Sequence, residues 1–151
     1  MSQKIAVVGA GFIGRSWAMV FSKAGHHVSL YDIDPAALSE AMNLLEINIA
    51  DLESNGLISS KDDLLGRIQP YKTLEGAVEE AEWVQENALE NVQIKRELFS
   101  RMDELLPETT ILASSTSAIP CSDISNGMKG AGRIIVAHPA NPPYLLPIVE
   151  L

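Results

Sequence analysis

The sequence has few basic residues, which nucleic acids and anionic membranes attract, and one cysteine, the residue that an oxidising compartment pairs into disulfides. Its 151 residues include 11 Lys and Arg against 20 Asp and Glu, a net charge of -9, so no basic binding surface is predicted. No apolar run reaches the roughly 18 residues of a membrane helix, and no signal-like hydrophobic segment precedes the first strand-like run. We therefore expect a cytoplasmic protein that contacts neither nucleic acid nor membrane.

Cysteine is almost absent, because Cys121 is the one cysteine in the sequence. It excludes an internal disulfide bond and does not build a metal site alone, so we predict no metal centre and regard Cys121 as a buried or incidental thiol. Hydrophobic residues make up 46% of the chain, which is enough for one sizeable core but not for two. The composition therefore predicts one domain over residues 1–151.

A glycine-rich motif, G-x-G-x-x-G, follows the first apolar run. Lys4–Val8 is typical of a buried strand, and a helical pattern begins at Phe12. Gly9 suits a tight turn, Gly11 lets the backbone approach a diphosphate, and Gly14 lets the helix pack closely on its strand. The diphosphate would lie at the helix N-terminus, where unpaired N–H groups favour an anion. Taken alone the motif often marks only turns, but the strand and the helix around it favour a dinucleotide site.

Asp32 ends the next apolar run, about 20 residues beyond the glycines, where dinucleotide-binding domains carry an acidic residue. A carboxylate there accepts hydrogen bonds from both adenosine ribose hydroxyls and repels a 2′-phosphate. NAD is therefore favoured over NADP, and the alternative is a solvated strand end. The predicted cofactor contacts are Gly9, Gly11, Phe12, Ile13, Gly14 and Asp32.

Strand-like runs alternate with helical patterns and predict a Rossmann-type doubly wound α/β fold with a mostly parallel sheet. The strands are predicted at Lys4 to Val8, His27 to Asp32, Arg67 to Tyr71, Glu82 to Glu86, Thr110 to Ala113 and Arg133 to His138. After the second strand, the pattern from Pro35 to Leu65 indicates a helical hairpin insertion that projects from the sheet and turns at Asn55-Gly56. We prefer an ordinary packing role for it, and we predict Asp34 as its N-cap.

The candidate catalytic chemistry lies at the ends of later strands. Ser117 closes a run of four hydroxyl residues after an apolar strand, and ligands bind at the carboxyl ends of strands in open α/β sheets. Its hydroxyl either meets a substrate oxygen or satisfies backbone groups in the turn, and the spacing leaves both possibilities open. His138 also follows an apolar run, so we expect it at the same edge of the sheet.

Glu150 is an acid within the apolar run Ile148–Leu151. A carboxylate in such a setting is costly unless it is paired. His138 is a suitable partner, since a carboxylate fixes the tautomer of an imidazole and supports it as a general base. The alternative is a glutamate near the chain end that faces water.

These residues together resemble the NAD-binding domain of the 3-hydroxyacyl-CoA dehydrogenase family, and within it the lambda-crystallin/L-gulonate 3-dehydrogenase and carnitine dehydrogenase branches. The resemblance covers nearly the whole chain. It implies that Ser117 contacts the substrate oxygen, that His138 is the base, that Glu150 orients His138, and that Glu90 lies near the cofactor and the active site. The segments that carry it are Gly9–Gly14, Glu90-Asn91 with Lys95–Phe99, Ser114–Ser117, and His138–Pro143 continuing to Val149-Glu150.

The resemblance implies reversible NAD-dependent oxidation of the 3-hydroxyl of a 3-hydroxy acid or a 3-hydroxyacyl-CoA to the keto product. The acyl-CoA enzymes usually read His-Phe-Phe-Asn-Pro and Asn-Thr-Ser, whereas this chain has His-Pro-Ala-Asn-Pro-Pro and Ser115 in place of the asparagine. This departure favours a free 3-hydroxy acid over a CoA thioester.

The family's helical C-terminal domain, which completes the substrate pocket and the homodimer, is absent from the sequence. We interpret the end at Leu151 as a fragment boundary and expect the full-length enzyme to be a homodimer. Two alternatives stay open: a fragment that binds NAD without catalysis, and a crystallin-like structural role.

Overall fold

A computed structural model describes residues 2–151, and its centre is a parallel sheet of six strands in the order β3-β2-β1-β4-β5-β6. The strands are β1 (Lys4–Val8), β2 (His27–Tyr31), β3 (Ile68–Tyr71), β4 (Trp83–Glu86), β5 (Ile111–Ser114) and β6 (Ile134–Val136). Each neighbouring pair is parallel. The predicted Rossmann-type fold is confirmed.

Helices cover both faces of this sheet because the central strands are apolar on both sides. Along β1, Ile5 and Val7 enter a core cluster with the first two helices, whereas Ala6 and Val8 enter a second cluster with the fourth and fifth. The helices are α1 (Phe12–Lys23), α2 (Pro35–Ser54), α3 (Lys61–Leu65), α4 (Leu74–Val78), α5 (Val92–Leu105) and α6 (Cys121–Ser125). Within residues 2–151, none of them combines the length and the apolarity that crossing a bilayer requires.

The predicted helical hairpin is formed by α2 and α3. Asp34 caps α2 by accepting a hydrogen bond from the amide of Ala36, and Gly56 adopts a φ of 70° in the turn between the helices. The hairpin does not project freely, because one face of α2 is buried in the core cluster around α1. The packing role is therefore the one observed, and the buried residues of the hairpin are Leu38, Ala41, Leu45, Ile49, Leu52 and Leu64.

The strand order reverses at β1, which pairs with β2 on one side and with β4 on the other. The connections that leave β1 and β4 run to opposite faces of the sheet, so a crevice opens between their carboxyl ends. In open parallel sheets this switch point is where ligands bind. The glycine motif follows β1, and Glu90 lies in the connection after β4, so both are placed at this crevice.

The strand predicted from Arg133 to His138 is too long. β6 begins at Ile134 after a short 3-10 turn and ends at Val136, and the amide of Ala137 makes a last bond to the carbonyl of Ser114 (2.8 Å). The chain then leaves the sheet. His138–Pro139 forms β7, which pairs antiparallel with β8 (Val149–Glu150), so that His138 lies directly opposite Glu150. The histidine thus belongs to a small hairpin beyond the sheet edge.

Candidate functional site

The three glycines of the motif differ in how much space a side chain would have at each position. Gly9 has a φ of 96°, and a Cβ there would lie 2.7 Å from the backbone carbonyl of Asn87. A Cβ at Gly14 would lie 1.8 Å from the carbonyl oxygen of Gly9, so only glycine lets α1 start this close to the turn. A Cβ at Gly11 would meet no atom within 4 Å. The loop therefore packs against backbone at Gly9 and Gly14, whereas the space beside Gly11 is open.

The N-terminus of α1 has no side-chain cap, since Gly11 occupies the capping position. The amides of the first helical residues, Phe12 and Ile13, consequently have no partner within the helix. By contrast, side-chain oxygens of Asp34, Ser60, Thr73 and Asn91 cap α2, α3, α4 and α5. Open space above Gly11 and uncapped amides behind it fit the diphosphate of a dinucleotide.

Asp32 is fixed beside the glycine loop, directly after β2. Its Oδ2 accepts a hydrogen bond from the amide of Ala10 (2.7 Å), and its Oδ1 accepts one from the amide of Asp34 (3.0 Å). Each carboxylate oxygen keeps further lone-pair capacity for ribose hydroxyls. The two amide hydrogen bonds hold the carboxylate in one orientation beside the glycine loop.

Ser117, His138 and Glu150 form a line of contacts. The hydroxyl of Ser117 lies 3.1 Å from Nε2 of His138, and Nδ1 of the same ring lies 3.1 Å from Oε2 of Glu150. The two ring nitrogens thus have separate partners. The structure brings together the three residues that the sequence placed on separate segments.

Glu150 lies on the surface although it belongs to an apolar run. Its side chain is 81% exposed, while that of His138 is 34% exposed, because β8 lies on the surface of the described chain. The sequence left open whether this carboxylate pairs with His138 or faces water, and in the structure it does both.

The four hydroxyl residues at the end of β5 and directly after it have different hydrogen-bond partners. The hydroxyls of Ser114 and Thr116 donate to carboxylates, of Glu86 (2.5 Å) and Glu90 (2.5 Å), and each also accepts a hydrogen bond from a backbone amide in the turn. The Ser115 hydroxyl makes hydrogen bonds with the side chains of Trp17, Gln85 and Asn87. The hydroxyls of Ser114 and Thr116 therefore satisfy backbone groups in the turn. The hydroxyl of Ser117 instead lies against His138.

Glu90 holds the segment that carries Ser117. Its Oε1 accepts hydrogen bonds from the Thr116 hydroxyl and from the amides of Ser117 (3.1 Å) and Ala118 (3.2 Å), and its Oε2 lies 3.6 Å from Nζ of Lys95. Partial burial raises the pKa of Glu90, but these hydrogen bonds and the Lys95 charge outweigh it and hold the pKa below its ordinary value. Glu90 is therefore a carboxylate at neutral pH, next to the crevice.

A buried ion pair between Glu86 and Lys95 was not predicted. Nζ of Lys95 lies 2.7 and 2.9 Å from the two oxygens of Glu86, and both side chains are at most 1% exposed. The available signal was the spacing of Lys95 with Phe99 and Met102, which places a charge on the apolar face of α5. The pair ties the end of β4 to α5 beneath the Ser117 segment.

No group of three or more His, Cys, Asp or Glu side chains within residues 2–151 has the arrangement that holds a metal ion. Cys121 is half-buried and free, and its thiol donates to the carbonyl of Ile134 (3.1 Å).

Comparison with known proteins agrees with this geometry. Residues 4–151 match the family described as 3-hydroxyacyl-CoA dehydrogenase, NAD binding domain. The chain is 41% identical over 150 residues to a lambda-crystallin homolog of Bos taurus and 39% identical over 149 residues to an L-carnitine dehydrogenase of Streptomyces griseus. These alignments cover 97% and 99% of the chain but 47% and 44% of the relatives, so the chain spans about half of their length.

Among solved structures, 3-hydroxybutyryl-CoA dehydrogenase from Escherichia coli superposes with a TM-score of 0.94 at 30% identity, over 99% of this chain and 32% of that one. The expected resemblance to the lambda-crystallin and carnitine dehydrogenase branches is confirmed.

Proposed function

The chain belongs to the 3-hydroxyacyl-CoA dehydrogenase family as an NAD-binding domain, and from this premise we propose that it supplies both the cofactor site and the catalytic residues of a dehydrogenase acting on 3-hydroxy substrates. The observation that carries the proposal is the line from Ser117 through His138 to Glu150. It lies at the carboxyl edge of the sheet, as does the glycine loop.

His138 is the proposed general base. An ionised carboxylate only accepts hydrogen bonds, so the contact between His138 and Glu150 places the ring proton on Nδ1. Nε2 is then unprotonated, and its lone pair can accept a proton. In the described chain Nε2 faces the Ser117 hydroxyl. A substrate hydroxyl that replaces part of this contact would give its proton to Nε2, and the Glu150 carboxylate would stabilise the imidazolium that forms.

Ser117 is proposed to hold the substrate oxygen by a hydrogen bond while the proton leaves, and Glu90 keeps the Ser117 segment in place. NAD, when bound, supplies the acceptor for the hydride of the substrate carbon. The protein contributes position and charge.

A free 3-hydroxy acid is the proposed substrate class, in preference to a CoA thioester. One relative is named for L-carnitine, which is a free 3-hydroxy acid. In addition, Ser115, which replaces the asparagine of the acyl-CoA enzymes, uses its hydroxyl for hydrogen bonds to Trp17, Gln85 and Asn87. A hydroxyl that donates one hydrogen bond and accepts two has no further hydrogen-bonding capacity for a substrate.

The test is NADH formation by the protein with NAD and a panel of substrates: 3-hydroxybutyrate, L-carnitine, L-gulonate and 3-hydroxybutyryl-CoA. We expect turnover with at least one free acid at a higher kcat/KM than with the thioester. A preference for the thioester would contradict the substrate assignment, and equal turnover by His138→Ala would contradict the proposed base.

A second candidate is an NAD-binding module that does not turn over substrate by itself. The exposure of Glu150 favours it, because water competes for the carboxylate and weakens its hold on His138. NAD binding without NADH formation from any substrate of the panel would support this candidate. A homodimer of the full-length protein remains a prediction.

A further inference from the structure

One buried amide side chain joins the two segments that carry Ser117 and His138. Gln85 lies on β4 with 0% exposure. Its Nε2 donates to the hydroxyl of Ser115 (2.8 Å) and to the carbonyl of Ala137 (3.3 Å). Ser115 lies two residues before Ser117, and Ala137 immediately precedes His138. The amide therefore contacts both segments next to the proposed catalytic residues.

The orientation of this amide is fixed by its partners. Oε1 of Gln85 accepts a hydrogen bond from Nε1 of Trp83 (3.0 Å), so both ends of the amide are engaged. The Ser115 hydroxyl also accepts from Nε1 of Trp17 (2.9 Å) and donates to Oδ1 of Asn87 (2.7 Å). A rotamer of Gln85 that breaks these hydrogen bonds would leave its buried amide without partners, which is costly.

The sheet itself does not set the separation between Ser117 and His138. The ladder between β5 and β6 ends with the bond from the Ala137 amide to the Ser114 carbonyl, and both residues lie beyond it. The residue paired with Gln85 on β5 is Ala113, whose single methyl group lets the amide extend across β5. A side chain thus continues the connection where the backbone hydrogen bonds stop.

We propose that Gln85 is a positioning residue that sets the separation between Ser117 Oγ and His138 Nε2, acting through Ser115 and Ala137 without touching substrate or cofactor. Its role in turnover rests on the proposed function, whereas its effect on the two side chains does not. Gln85→Leu removes both donors at similar volume and lets the segments shift. We expect kcat to fall about 10- to 100-fold, since small misplacements of reacting groups cost this much, with little change in KM or in NAD affinity.

The experiment compares Gln85→Leu with Gln69→Leu, a matched control at an exposed glutamine on β3. The ring signals of His138 are followed by NMR in the protein without cofactor, and the chain's other two histidines, His26 and His27, serve as internal references. Calorimetry gives the NAD affinity, and steady-state kinetics gives kcat and KM. Trp83→Phe, which removes the donor to Gln85 and reduces the ring that packs on the core, is a milder second variant in case Gln85→Leu does not fold.

We expect the His138 signals to move in Gln85→Leu, and less in Trp83→Phe, while those of His26 and His27 stay and Gln69→Leu changes nothing. Unchanged His138 signals in both test variants would overturn the proposal. A loss of NAD affinity as large as the loss of kcat would also overturn it, because Gln85 would then act on the cofactor site. If the wild-type protein shows no turnover, the proposed function fails, but the NMR comparison still decides the positioning role.

Discussion

The hydroxyl of Ser117 lies 3.1 Å from Nε2 of His138 although 21 residues separate the two in sequence. The contact forms because Ser117 follows β5 and His138 follows its parallel neighbour β6, so both chains leave the sheet at the same edge. Proton transfer from a substrate hydroxyl would need a ring nitrogen at a similar distance, and this is why Nε2 is the proposed proton acceptor.

His138→Ala is expected to lower turnover by about 10²- to 10⁴-fold, the range that a positioned general base contributes. NAD affinity should remain nearly unchanged, because the hydrogen bonds of the ring go to Ser117 and Glu150. Calorimetric titration with NAD and steady-state kinetics measure the two effects, and His27→Ala on the exposed start of β2 is the control. Loss of cofactor binding in His138→Ala would count against the assignment.

Gly14→Ala and Gly11→Ala are expected to fail in different ways. The new Cβ at Gly14 would lie 1.8 Å from the Gly9 carbonyl oxygen, so α1 must shift and the fold loses stability. The new Cβ at Gly11 meets no atom within 4 Å in the protein but would occupy the space proposed for the diphosphate. Urea unfolding should show a loss for Gly14→Ala only, while calorimetry should show weaker NAD binding for Gly11→Ala. An unchanged NAD affinity in Gly11→Ala would contradict the proposed position of the diphosphate.

Lys95→Met is expected to destabilise the protein by about 3–5 kcal/mol, because it leaves the buried Glu86 carboxylate without its partner. The double variant with Glu86→Gln should recover part of this loss, since no buried charge then remains unpaired. Chemical denaturation of both single variants and of the double variant gives the coupling free energy. Losses that simply add would show that the two side chains do not stabilise each other.

The pair of Asp103 and Arg133 predicts a pH dependence of stability. Burial raises the pKa of Asp103, but hydrogen bonds from the Gly130 amide and from Arg133, with the positive charge nearby, outweigh it and hold the pKa below the ordinary 3.8. A folded-state pKa below the unfolded one stabilises the protein above the unfolded value, and this contribution disappears as the pH falls through the folded value.

Asp103→Asn should therefore cost about 2 kcal/mol of unfolding free energy at neutral pH, as expected for hydrogen bonds to a charged group. Its difference from the wild type should shrink below about pH 4. Urea unfolding across this range measures the difference, and a gap that stays constant as the pH falls would contradict the assignment.

The fold could be predicted from the sequence because the patterns that specify its strands, turns and helix starts are local. The apolar run of β1, the glycines after it and the Asp34-Pro35 start of α2 each specify their own segment. The boundary at His138 was missed because its strand pairing is set by β8, eleven or more residues further along, and not by the residues around it. Local patterns do not report such partners.

The polar side chains beneath the site were harder to predict. Gln85 and Glu86 lie next to each other on β4 but face opposite sides of the sheet, where they meet Ser115 and Lys95 respectively. Nothing in the sequence around a buried polar residue shows which distant group satisfies it. The line from Ser117 to Glu150 was predicted partly by resemblance, whereas the exposure of Glu150 depends on what surrounds β8.

The glycine loop and Asp32 form the proposed site for NAD, and the measurement to make first is calorimetric titration with NAD and with NADP. Asp32→Ala removes the carboxylate that accepts hydrogen bonds from the amides of Ala10 and Asp34. We expect the wild-type chain to bind NAD in preference to NADP, and Asp32→Ala to bind NAD at least about 10-fold more weakly, as the loss of a charged hydrogen-bond acceptor implies. Absence of binding to either cofactor, or equal affinity for NAD in the variant, would contradict the proposed site.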